Sequence, residues 1–253
     1  MPRADEPAGP VEFSHPPPGP ASEPTLAEFA TPWRAAAAYG LLAGVFLLTV
    51  VLPILTFWRG TALAVDAIGP SGLFQGQVVL AAFLLGWFTL QQRVGIRAFL
   101  HLPSGRWGAR TVEGLRVGVR GWLLTMAVMV VLGILAHLSG VQPNEGFADV
   151  MVWMARLPFV LRAAVVAVAM VVEEAFFRAF LQPRIGIVLA TCCFALGHVN
   201  YGSPAMGGGV FVIGWILGRA FTRSDDLAVC AVAHGTFDAI QLLIVLPLVA
   251  SQI

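Results

Sequence analysis

Ionisable side chains interrupt a long apolar run at 171–178, where Glu173, Glu174 and Arg178 stand within six positions. A charge in hydrocarbon costs about 2.5–3.5 kcal/mol on insertion scales, so such groups usually face a polar interior and serve a function. Glu174 and Arg178 are four residues apart on one helix face, which predicts a buried ion pair. Glu173 points about 100° away. It has no partner at helical spacing, which makes it the candidate general base.

Two later apolar segments carry the other polar groups that could do chemistry. Phe194 lies one helical turn before His198, and we expect it to fix the imidazole by packing. His234 and Asp238 are also four apart and share a face. Each residue alone has a structural explanation, since a histidine in a membrane helix can bond a neighbouring carbonyl. Three polar groups at mid-depth of three segments favour one common site.

Composition defines the class of protein that must position these groups. Of the 253 residues, 58% are hydrophobic and 11% are charged, against about 45–50% and about 25% in soluble domains. We predict an all-α polytopic membrane protein, a bundle of about seven to eight transmembrane helices at about 20 residues per span. The net charge of +1 does not indicate the basic face that nucleic-acid-binding proteins carry, so we do not expect nucleic acid as a partner.

The chain divides into a Pro-rich tail at 1–32, predicted to be disordered, and a membrane helical domain at 33–253. Predicted spans lie at about 35–58, 73–90, 119–138, 157–182, 185–200, 208–221 and 227–249. Six arginines lie in the segment 91–120, which places that segment and the amino terminus in the cytoplasm. Gly214 and Gly218 form a Gly-x-x-x-Gly pair, which we assign to packing within the chain rather than to dimerisation.

These motifs resemble those of a known family. The series Glu173-Glu174-x-x-x-Arg178, Phe194-x-x-x-His198 and His234-x-x-x-Asp238 resembles the three motifs of the CPBP family. That family includes type II CAAX prenyl endopeptidases and bacteriocin-processing and self-immunity (Abi) proteins. The resemblance covers about 157–249, and the preceding spans match only in being hydrophobic.

The resemblance implies a membrane-embedded endopeptidase that cuts a membrane-associated protein or peptide. It assigns water activation to Glu173 and His198, and oxyanion stabilisation to His234 with Asp238. Family members typically carry Asn in place of Asp238, and an ionised carboxylate cannot donate to an oxyanion. Asp238 could instead be protonated, orient His234 or bind a metal.

The residue types leave the cofactor open. Glu173, His198 and His234 are ligand types that zinc accepts, but the sequence has no His-Glu-x-x-His signature. We favour a metal-free mechanism over a divalent metal such as zinc. An immunity or assembly protein that keeps the fold without catalysis is the alternative function, and a proton-coupled transporter is a third. All basic residues of the chain are arginine, and Ala and Gly are abundant, a composition that suggests a bacterial protein of the cell membrane. The sequence does not indicate an oligomeric state.

Overall fold

The computed structural model describes residues 28–59, 72–103, 105–141, 145–201 and 203–252, and these residues form helices and connecting turns without any strand. Apolar runs of this length become helices because hydrocarbon offers a backbone no other hydrogen-bonding partner. The principal helices are α1 (Pro32–Trp58), α2 (Gly72–Gln91), α3 (Trp107–Leu138), α4 (Glu145–Arg156), α5 (Phe159–Glu174), α6 (Gln182–Gly197), α7 (Pro204–Ser224) and α8 (Leu227–Ala250). The predicted all-α membrane class is confirmed.

The number of membrane-crossing helices is lower than predicted when it is counted by length and composition. In the described part of the chain, five helices could cross a membrane, or six if a pair bent by 111° counts as one span. The bent pair joins the end of α4 to the helical stretch Phe159–Gly197. That count takes the predicted fourth and fifth spans together as one stretch, in which the π-helical segment Ala175–Leu181 links α5 to α6, although the chain folds back at Gly186 within it.

The stretch Phe159–Gly197 is nevertheless sharply folded at Gly186. Gly186 has φ +80° and ψ 163°, a backbone conformation that is unfavourable for residues with a Cβ atom and accessible to glycine. The ring centroids of Phe177 and Phe194 lie 5.1 Å apart, whereas a straight helix would separate these residues by about 25 Å. The chain therefore folds back at Gly186, which brings α6 against the segment that follows Glu174.

Glycines on α7 and α3 permit close helix packing. A Cβ at Gly218 would lie 2.8 Å from Ile187 Cγ1, and a Cβ at Gly214 would lie 3.0 Å from the Phe194 ring. Both neighbours are on α6, so the Gly-x-x-x-Gly pair packs within the chain as predicted. A Cβ at Gly118 on α3 would lie 2.6 Å from Ala233 O on α8. These contacts hold the two helices that carry His198 and His234 in fixed positions.

The start of the described chain packs against the helices. Phe29 is buried and its ring centroid lies 5.4 Å from that of Trp87. Glu28 pairs with Arg184 at 2.9 Å beside the fold at Gly186. Packing therefore begins before position 33, where the membrane domain was predicted to start. The rest of the predicted tail, at 1–27, lies outside the described residues and stays a prediction.

Candidate active site

Glu173 and Glu174 are the last two residues of α5, directly before the π-helical segment. The wider π turn interrupts the regular helical repeat, and such turns frequently occur at functional sites. Glu174 and Arg178 are completely buried, and the Arg178 Nε–Glu174 Oε2 distance is 3.2 Å. The ion pair predicted from their spacing is therefore present, and mutual neutralisation lowers the cost of burying both charges.

Glu174 also reaches a residue on α8 that the sequence did not connect to it. Its Oε1 lies 2.9 Å from His234 Nδ1. Because a carboxylate only accepts, Nδ1 carries the hydrogen, and the other ring nitrogen of His234 points away from Glu174. Glu174 thus joins α5 to α8 and determines the orientation of the His234 ring.

Phe194 supports three members of this cluster. Its ring centroid lies 5.2 Å from the Arg178 guanidinium carbon, 4.7 Å from the His198 ring and 6.0 Å from the His234 ring. An aromatic face stabilises a buried guanidinium electrostatically, and here both terminal Arg178 nitrogens lack a hydrogen-bond partner among the described residues. The packing role predicted for Phe194 therefore extends from His198 to Arg178 and His234.

Two polar side chains from other helices lie next to Glu173 among the described residues. Gln77 Nε2 on α2 donates to Glu173 Oε1 at 2.8 Å. His198 Nε2 lies 3.9 Å from Glu173 Oε2. Gln77 was missed by the sequence reasoning, although a glutamine inside the apolar second span was a visible signal. Its hydrogen bond occupies one carboxylate oxygen and leaves the other directed towards His198.

The backbone determines the orientation of the His198 ring. Its Nδ1 lies 2.7 Å from Phe194 O, four residues earlier on α6. A carbonyl oxygen only accepts, so Nδ1 donates and Nε2 is the nitrogen presented towards Glu173. A separation of 3.9 Å is too long for a direct hydrogen bond, and one water molecule could bridge the two atoms.

Asp238 contacts His234 one helical turn earlier on α8. Its Oδ2 lies 3.3 Å from His234 Nε2, so both ring nitrogens of His234 face carboxylate oxygens. Of the three roles considered for Asp238, this geometry supports the one in which Asp238 orients the His234 ring. The His234 nitrogen that would otherwise face a ligand is directed towards Asp238.

The four residues predicted as catalytic line one cavity of about 320 Å³. The remaining wall is mainly apolar and includes residues from α2, α4, α5, α7 and α8. Its polar lining consists of Gln77, Glu173, His198, His234, Asp238 and Gln241. A mostly apolar cavity with a few convergent polar groups is typical of a ligand or active site.

The residues considered as metal ligands from the sequence have other polar neighbours in this structure. Within the described residues, no group of three or more His, Cys, Asp or Glu side chains is placed to hold a metal ion. Of the ligands considered, His234 has both ring nitrogens next to carboxylates and Glu173 has one oxygen bonded to Gln77. A metal on Glu173, His198 and His234 would have to displace the His234–Asp238 contact.

These features together define a class of protein. It is a multi-pass helical membrane protein with a Glu–His pair beside a cavity inside the helix bundle, an arrangement suited to hydrolysis within a membrane. Residues 155–240 match the family model described as type II CAAX prenyl endopeptidase Rce1-like. The match covers the segment that contains all three motifs, and that segment is therefore similar to this protease family, in agreement with the resemblance predicted from the motifs. No curated protein and no solved structure matches the chain significantly.

Proposed function

We propose that the protein is an intramembrane endopeptidase that hydrolyses a peptide bond of a membrane-associated substrate, with Glu173 and His198 activating the water. The observation that carries the proposal is the 3.9 Å separation of Glu173 Oε2 and His198 Nε2 at the wall of the cavity. A water between these atoms could donate one hydrogen to each of them. Its lone pairs would then be available to attack a carbonyl carbon.

The surrounding residues supply the steps of hydrolysis. Glu173 takes a proton from the attacking water, and the water oxygen bonds to the carbonyl carbon. When the carbon–nitrogen bond breaks, the proton passes to the departing amine, so that a carboxyl and an amine are formed. Gln77 holds Glu173 in place for both transfers. His234, held by Glu174 and Asp238, lies on the same cavity wall, where we assign it to the negative charge that develops on the carbonyl oxygen.

The description of the matched family suggests one of two candidate substrate classes. A prenylated Cys-a-a-X end is one candidate, and the mostly apolar cavity lining is compatible with a lipidated peptide. A bacteriocin or peptide pheromone is the other candidate, because the composition is bacterial in character. The two differ in whether the substrate carries an isoprenoid.

The test is cleavage by the purified protein in detergent. The probes are an internally quenched peptide with a farnesylated Cys-a-a-X end and the same peptide without the farnesyl group. Loss of a general base lowers the rate by about 10²- to 10⁴-fold, so we expect Glu173→Gln and His198→Gln to fall in this range. His137→Gln, which alters an exposed histidine on α3, is the matched control. Unchanged cleavage by Glu173→Gln would remove Glu173 as the base.

A non-catalytic immunity or assembly role is the second candidate, and Asp238 in place of the family's Asn is the observation that favours it. In that case Glu173→Gln would retain the cellular phenotype of the wild type. Proton-coupled transport is a third and less favoured function. It would appear as uptake driven by a pH gradient in liposomes, without cleavage of either peptide.

A further inference from the structure

Gln241 is a polar residue of the cavity that neither the motifs nor the family match includes. It lies on α8 three residues after Asp238, inside the π-helical segment Ala239–Val245. It lines the same cavity as Glu173 and His234, and it falls one position beyond the matched segment 155–240. A glutamine in an apolar membrane helix is costly to bury, so such a residue usually has a polar partner or a function.

The orientation of the Gln241 amide is determined by a tryptophan on α3. Trp122 Nε1 lies 3.2 Å from Gln241 Oε1. An indole nitrogen can only donate, so the amide atom that faces Trp122 must be the oxygen. The amide nitrogen, with its two hydrogens, therefore points away from Trp122.

Among the described residues, the Gln241 nitrogen has no acceptor, and the only hydrogen bond of this side chain is the one from Trp122. The nitrogen is not among the buried polar atoms that lack partners. The nitrogen is therefore not fully buried, and the residue that carries it lines the cavity. Gln241 thus presents a neutral donor to whatever occupies the cavity.

An ionised Asp238 would supply no donor at the position where family members carry Asn. An ionised carboxylate accepts hydrogen bonds and repels a developing oxyanion. His234 Nε2 lies 3.3 Å from Asp238 Oδ2, so this nitrogen is directed towards the carboxylate. We propose that Gln241 Nε2 binds the carbonyl oxygen of the scissile peptide bond and stabilises its negative charge during hydrolysis. This inference rests on the proposed function and adds a second substrate-binding group to that site.

The first test is the kinetics of Gln241→Met, which keeps the length of the side chain and removes both donors. The probe is the quenched Cys-a-a-X peptide of the proposed function, in whichever form the wild type cleaves. Removal of one oxyanion donor lowers kcat by about 10²- to 10³-fold. KM should stay within about twofold, because the interaction forms mainly in the transition state.

The second test is rescue by Asp238→Asn, which introduces a neutral donor one turn away. We expect the double variant Gln241→Met/Asp238→Asn to recover at least about tenfold in kcat over Gln241→Met, since one donor replaces another. A purely structural role for Gln241 would not be rescued in this way. Trp122→Phe releases the amide and should lower kcat by a smaller factor, while Trp107→Phe, an exposed residue of the same helix, should leave kcat unchanged.

Three results would overturn the inference. If Gln241→Met cleaves like the wild type while Glu173→Gln is inactive, the proposed function stands and Gln241 is not the donor. If kcat falls but Asp238→Asn gives no recovery although Gln241→Met unfolds at the wild-type temperature, the donor role is also refuted. If the wild type cleaves neither peptide form, the proposed function itself fails and the inference fails with it.

Discussion

Glu174 Oε1 lies 2.9 Å from His234 Nδ1, although the two residues are sixty positions apart in the chain. The other oxygen of the same carboxylate pairs with Arg178. The second glutamate of the motif therefore does more than neutralise an arginine on its own helix, because it also positions the histidine of α8. The first glutamate is left to face His198. Adjacent residues of one type thus have different partners and different expected roles.

Glu174→Gln should destabilise the protein strongly. The change removes the charge that compensates Arg178, which is completely buried, and breaking a buried ion pair costs about 3–5 kcal/mol. Thermal unfolding in detergent measures the effect. Glu113→Gln is the control, since it alters an exposed carboxylate 3.9 Å from Arg110. A Glu174→Gln protein that unfolds at the wild-type temperature would contradict a structural role for this pair.

Gln77→Leu should lower activity without a comparable loss of stability. Without the 2.8 Å hydrogen bond to Glu173, the carboxylate can rotate away from His198, and misplacement of a reacting group by about 1 Å can cost up to about 10²-fold in rate. Cleavage kinetics and thermal unfolding are measured on the same preparation. Gln75→Leu, at an exposed position of the same helix, should cleave normally. Equal activity of the two variants would show that Glu173 needs no support from α2.

Gly218→Leu should destabilise the monomer. Even a Cβ at this position would lie 2.8 Å from Ile187 and 3.1 Å from Gln182 Oε1, and overpacking typically costs about 1–3 kcal/mol. Gly40→Leu on α1 is the control, because nothing lies within 4 Å of a Cβ there. The measurements are thermal unfolding and oligomeric state in detergent. A change from dimer to monomer with unaltered unfolding would instead assign the Gly-x-x-x-Gly pair to dimerisation.

Chelators should leave cleavage unchanged. Both ring nitrogens of His234 contact carboxylates, and Gln77 bonds one oxygen of Glu173, so metal binding by these residues would have to break existing contacts. The rate is compared before and after dialysis against EDTA and 1,10-phenanthroline, with and without added zinc. Loss of cleavage that returns only with zinc would assign the mechanism to a metal on Glu173 and His198.

Much of the site was predictable from spacing along single helices. Glu174 and Arg178 are four residues apart, as are His234 and Asp238, and in both pairs the side chains meet. Helical periodicity alone brings such residues to one face. The close packing of Gly214 and Gly218 was predictable for a related reason, since small residues four apart form a groove on a helix surface.

Contacts between helices distant in the chain could not be predicted in the same way. The bond from Gln77 to Glu173, the bond from Trp122 to Gln241 and the second partner of Glu174 depend on how the helices are arranged. Hydrophobic patterning predicts that a helix lies in the membrane, but it does not predict which helices it contacts. The reason is that lipid and the protein interior are similarly apolar.

The sequence by itself determined that the protein is a helical membrane protein, which of its residues are polar within apolar helices, and which family its motifs resemble. Only the tertiary structure decided that the chain folds back at Gly186 and that Glu173 faces His198 while Glu174 holds His234. The reason is physical. Local spacing fixes the contacts within one helix, whereas the partners of a buried carboxylate are set by the packing of several helices around it.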